Sequence, residues 1–64
     1  MRHRKYLQYV QNTGGNATVA QFDDDWDPIG PMVRRDIMPD LVTTDDAGFL
    51  VLTDQGRAVL EQDG

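Results

Sequence analysis

Side chains able to do chemistry are few in this chain. It contains no cysteine and no serine, which removes the commonest nucleophiles. The single histidine, His3, stands among Arg2, Arg4 and Lys5 without an evident acid or base partner. The densest set of oxygen donors is Asp23, Asp24, Asp25 and Asp27. Asp23, Asp25 and Asp27 match positions one, three and five of a calcium loop. Position six is then Pro28 where a glycine is required, and position twelve is Arg34 where a bidentate glutamate is required. That loop is excluded, and the run reads as a solvated acidic turn. No P-loop, GxGxxG or HExxH is present. A domain of 64 residues also offers little concave, water-excluding space around paired carboxylates. The chain is read as a non-enzyme with no cofactor and no metal.

Charge is the next clue. The formal net charge is −5, with Glu61 the only glutamate and Lys5 the only lysine. Two readings compete for this Asp-rich, Arg-rich balance: an ordinary acidic protein, or adaptation to a high-salt cytoplasm. Against that background Arg2, His3, Arg4 and Lys5 form a local basic cluster. Positive charge at a helix N-terminus opposes the macrodipole, so helix stability does not explain it. The cluster could touch phosphates, or it could be a solvated start of the chain. No run approaches the roughly 20 apolar residues of a membrane span, and Gln8, Gln11 and Asn12 interrupt any signal-like stretch. A soluble, cytoplasmic protein that makes no membrane contact is the expectation.

These groups must be positioned by a small set of elements. Arg2 to Asn12 reads as a helix, with Tyr6, Leu7 and Val10 on one face and Gly14-Gly15 as its stop. Thr18-x-x-Gln21 matches a capping box and starts a second helix, with Val19 and Phe22 inward. Asp23-Asp24-Asp25 places repelling charges at its negative end and predicts an early stop. Asp27 as N-cap and Pro28 at the first position open a third helix, whose start can slip to Pro31. Ile29, Val33 and Ile37 make its apolar stripe, Arg34 and Arg35 face solvent, and Pro39 ends it. Leu41–Thr44 and Phe49–Leu52 read as a hairpin around Asp45-Asp46-Ala47-Gly48. Leu50 and Leu52 share one face, Phe49 and Val51 the other. Thr53 caps a last helix through about Gln62 with Val59 and Leu60 inward, and Asp63-Gly64 reads as frayed. Trp26 is read as a core plug, with an exposed contact point as the alternative. One of Tyr6 and Tyr9 is expected in the core and the other on the surface, where the pair could build a dimer contact.

The order of helix, helix, helix, hairpin and helix resembles the winged helix-turn-helix family. Tyr6-Leu7-x-x-Val10 followed by Gly14-Gly15 is similar to the first helix and turn of such domains, and Asp40-Leu41-Val42 to the lead into the wing. Gly48-Phe49-Leu50-Val51-Leu52-Thr53-Asp54-Gln55-Gly56-Arg57 resembles the wing exit, where a strand ends in Leu-Thr and Gly-Arg opens the next helix. The resemblance spans nearly the whole chain and implies one α+β, mainly α domain over residues 1–64: a three-helix core, a two-stranded β-hairpin wing and a short C-terminal helix. It further implies a small DNA-binding protein, a transcriptional regulator or accessory factor that binds double-stranded DNA as a dimer. The third helix would lie in the major groove, Arg34 and Arg35 reading guanine edges or phosphate and Arg2, Arg4 and Lys5 touching the backbone. The sequence departs from the family where Asp45 and Asp46 occupy the wing tip and Asp23 to Asp27 the approach to the third helix. These repel phosphate. The alternative expectation is an acidic winged-helix module that binds another protein and no nucleic acid. Mimicry of DNA by acidic side chains spaced like phosphates is a third.

Overall fold

The computed structural model describes residues 3–62. Helix α1 (Arg4–Thr13) buries Tyr6, Leu7 and Val10, the face its spacing predicts. It ends where Gly14 adopts a left-handed conformation at φ 61° and donates its amide to the Gln11 carbonyl. Glycine carries no Cβ and enters this region without strain. Thr18 is extended, and its hydroxyl accepts the Gln21 amide at 3.1 Å, which starts α2 (Val19–Asp25). Phe22 is buried on α2, and Val19 packs partly buried against the core.

Helix α2 is short and stops at the three consecutive aspartates, where their charge predicts a stop. Helix α2 includes all of them and closes on Trp26. Two have tertiary partners: Asp23 pairs with the Arg34 guanidinium, and Asp25 accepts a hydrogen bond from the neutral Tyr9 hydroxyl.

Helix α3 (Gly30–Ile37) starts later than an Asp27 cap would place it. Its N-cap is Ile29, which makes no side-chain capping bond, and Asp27 is exposed. The amides of Ile29 and Gly30 both reach the Trp26 carbonyl, at 2.9 and 2.8 Å, so a backbone turn does the capping. Gly30 sets the start. A Cβ there would lie 2.8 Å from Asp23 Cα and 3.0 Å from its carbonyl oxygen, so α2 and α3 approach as only glycine allows. With Gly30 at the crossing, the buried stripe is Gly30, Val33 and Ile37. Ile29, expected in that stripe, is 39% exposed.

Strands β1 (Val42–Thr44) and β2 (Leu50–Leu52) pair antiparallel, with Val42 opposite Leu52 and Thr44 opposite Leu50. Asp45 holds the connecting turn by accepting the amides of Ala47 and Phe49 on one carboxylate oxygen, and Gly48 takes φ 88°. Thr18 and Phe49 form an isolated antiparallel bridge, and the Leu50 amide donates to the Ala17 carbonyl at 2.7 Å. The hairpin is thereby tied to the start of α2. Helix α4 (Asp54–Gln62) is capped by Thr53, whose hydroxyl accepts the Gly56 amide and donates to the Asp40 carbonyl. Helix α1 lies against β2 and α4. The shared core is Leu7, Val10, Phe22, Ile37, Val42 and Leu50, each nearly inaccessible to water, ringed by Tyr6, Val33, Leu41 and Leu60. The structure is thus a small α+β fold of four helices and one two-stranded hairpin, mainly helical, among the described residues.

Candidate functional site

Of the five cationic residues singled out in sequence, the four described do not form one strip. Arg2 lies outside the described residues, as does the Asp63-Gly64 end. Arg4 points across the molecule: its guanidinium donates to the Leu60 carbonyl at 3.0 Å. That carbonyl belongs to the last turn of α4, where a cation complements the partial negative charge of the helix end. The position unfavourable for α1 is therefore favourable for α4. Lys5 is exposed, and its ammonium lies 5.3 Å from the Tyr6 ring centre and 5.9 Å from that of Trp26, within cation–π range.

Arg34 does not face solvent as the helical spacing predicts. Its Nε and Nη2 donate to the two carboxylate oxygens of Asp23, at 3.0 and 2.8 Å, with both side chains about three-quarters covered. Such a fork fixes geometry as well as charge. It clamps α3 to α2 beside the Gly30 crossing. Arg35 is exposed and makes no ion pair among the described residues.

Tyr9 and Trp26 border the aromatic side of the core. Tyr6 and Trp26 meet edge to face at 4.8 Å, and Tyr9 meets Phe22 and Trp26 in the same way at 5.6 and 5.7 Å. Tyr6 is buried and Tyr9 half-buried, so the expected division between core and surface is a matter of degree. Burial, the hydrogen bond to Asp25 and the charge of Asp25 push the Tyr9 phenol up to about 12. A phenol that ionises later in the folded chain than its ordinary 10.0 favours folding fully below pH 10, and that contribution is lost as the pH rises toward 12. Ultraviolet titration should show Tyr9 ionising near 12, above its ordinary 10.0, and Asp25→Asn should lower it part of the way, leaving the larger share that burial causes. An unmoved titration in Asp25→Asn would remove the assignment.

The outward side of α3 carries Pro31, Met32, Arg35 and Asp36. Beside it runs a groove of about 390 Å³, with His3, Lys5 and Tyr6 on the α1 wall and Ile29, Met32, Val33 and Asp36 on the α3 wall. Ile29 and Met32, at 39% and 55% exposure, are the exposed large hydrophobic residues among those described. Where a cationic strip running from α1 onto α3 would need a base, the wall presents Asp36. His3 Nδ1 and Trp26 Nε1 are withdrawn from water and have no hydrogen-bond partner among the described residues.

Ile29, Met32 and Asp36 are the residues the sequence reading did not assign to a site. Their signal is the helical spacing: Met32 and Asp36 are four apart and share a flank of α3 beside the buried Val33. Comparison with known proteins finds no matching family model, no matching curated protein and no matching solved structure.

Proposed function

We propose that this chain is a winged-helix domain that works by binding rather than catalysis, and that it binds a protein through the groove between α1 and α3. The order of three helices, hairpin and helix supports the winged-helix reading, as does the docking of the hairpin on the helical trio. The observation that carries the choice of partner is the composition of the α3 face. One of its two arginines is committed to Asp23, and the open groove beside it holds Ile29 and Met32. A nucleic-acid surface needs cations that release counterions from phosphate. A protein contact is built on desolvated apolar anchors with a polar rim, and this groove has both. The exposed acids at the hairpin tip, Asp45 and Asp46, add repulsion toward phosphate.

Arg35 and Lys5 favour the second reading, in which α3 meets double-stranded DNA, because both are exposed and neither is tied to a carboxylate among the described residues. Titration of labelled duplexes of mixed sequence at several salt concentrations decides between the two. The expected result is no saturable binding at any salt and no difference between the wild type and Arg35→Ala. Binding with a steep salt slope, lost in Arg35→Ala, overturns the protein reading. As the positive arm, a benzophenone side chain at position 32 should form protein adducts that disappear in Ile29→Asp, and the same probe at position 46 should form none.

A further inference from the structure

We infer that the groove between α1 and α3 is filled by a second copy of this chain in a two-fold dimer, an inference that rests on the groove being a protein-binding face. The two walls carry opposite charges around an apolar centre. Lys5 stands on the α1 wall and Asp36 on the α3 wall, with Ile29, Met32 and Tyr6 between. Neither Lys5 nor Asp36 has an ion-pair partner among the described residues. In a closed two-fold contact, whatever residue i of one copy meets in residue j of the other is met again in reverse. A wall with a cation facing a wall with a carboxylate is self-complementary under that operation. Lys5 of each copy meets Asp36 of the other, and the Met32 side chains close over the axis. A uniformly basic or uniformly acidic partner satisfies one wall and repels the other.

The distribution of charge over the rest of the molecule selects the same face. The chain carries a formal charge of −5, so two copies repel over most of their surfaces. Asp24, Asp25 and Asp27 crowd the end of α2, Asp45 and Asp46 the hairpin tip, and Asp54 the start of α4, all exposed. The α1–α3 groove sets Lys5 against Asp36, with Arg35 exposed beside them, and is where two acidic copies can approach away from the aspartate runs. It is also where Ile29 and Met32 need covering. A thioether side chain adapts its shape to its counterpart, which suits Met32 to the axis. His3, on the same wall, brings a ring nitrogen that finds no partner within the described fold.

Sedimentation equilibrium on the full chain, with circular dichroism to confirm folding, tests the assignment at about 0.15 M salt, where contacting charges are still felt. The wild type should dimerise reversibly. Lys5→Asp and Asp36→Lys should each weaken the dimer about tenfold or more, since each places like charges in both symmetric contacts. An equimolar mixture of the two variants should recover a dimer of nearly wild-type strength, because each copy then supplies the charge the other has reversed. A wild type that remains monomeric up to about 1 mM overturns the proposal. So does a mixture no tighter than either variant alone. The probe at position 32 separates this failure from failure of the broader reading. Adducts with a different protein overturn the second copy and leave the protein-binding face standing, whereas duplex binding through Arg35 overturns both.

Discussion

Gly56→Ala is expected to destabilise the domain by about 3 kcal/mol, at the upper end of what overpacking costs. Gly56 sits in the first turn of α4, buried against β1's approach. A Cβ there would overlap the Leu41 carbonyl oxygen and come within 3.0 Å of its carbon. No rotamer relieves a clash between a Cβ and a backbone, so α4 must move. The same Leu41 carbonyl accepts the Thr53 amide at 3.0 Å, so moving α4 also loosens its cap. Replacing a helical glycine by alanine ordinarily gains up to ~1 kcal/mol, and the close approach reverses the sign. A domain of this length has roughly 3–10 kcal/mol in total, so the variant should lose between about a third and all of its stability. Urea unfolding followed by far-ultraviolet circular dichroism measures this. A midpoint equal to the wild type would mean that α4 is free to shift, and the packing described for it would be wrong.

Phe22→Ala carries the second large effect, a loss of about 3–5 kcal/mol, the range for deleting a buried phenylalanine. Phe22 is 1% exposed. Its ring stands 5.6 Å from Tyr9 and 6.4 Å from both Tyr6 and Trp26, so three aromatic rings lose a shared neighbour. Alanine leaves a cavity that neighbours on three elements would have to fill, and the clamp of Arg34 on Asp23 one residue away resists that collapse. Phe22→Leu keeps most of the volume and should cost less than about 1.5 kcal/mol, the usual bound for volume-conserving exchanges. Near-ultraviolet circular dichroism should lose its aromatic signal in the alanine variant and keep a weakened one in the leucine variant. A cost below about 1 kcal/mol for alanine would show that the cluster is peripheral to the core.

Where the chain follows local chemistry, its reading from sequence and its structure agree. Gly14 closes α1, Thr18 opens α2, Asp45 and Gly48 make the turn, and Thr53 opens α4. Each is decided within about four residues. The departures come from contacts across the chain. Asp27 is a good cap by type, yet the crossing of Gly30 on Asp23 sets the start of α3 and leaves Ile29 outside the core. Arg34 has a solvent-facing position by spacing alone, and only the placement of α2 brings Asp23 to it. Arg4 reaches a carbonyl 56 residues away, beyond any local pattern. The candidate site follows the same division: Lys5, Arg34 and Arg35 stand out by type, while the groove that gathers Ile29, Met32 and Asp36 exists only once the start of α1 is brought beside α3.

The hairpin's attachment limits what can be exchanged in this protein. Because Phe49 bridges Thr18 and the Leu50 amide is spent on the Ala17 carbonyl, β2 is stitched to the link between the first two helices. Excising the hairpin would not leave a three-helix remnant; it would remove β2 from the face of α1 that it packs against. Asp45 and Gly48 are likewise committed to the turn. Asp46 takes part in none of these bonds and is therefore the turn residue that can be exchanged while the rest of the chain keeps its shape.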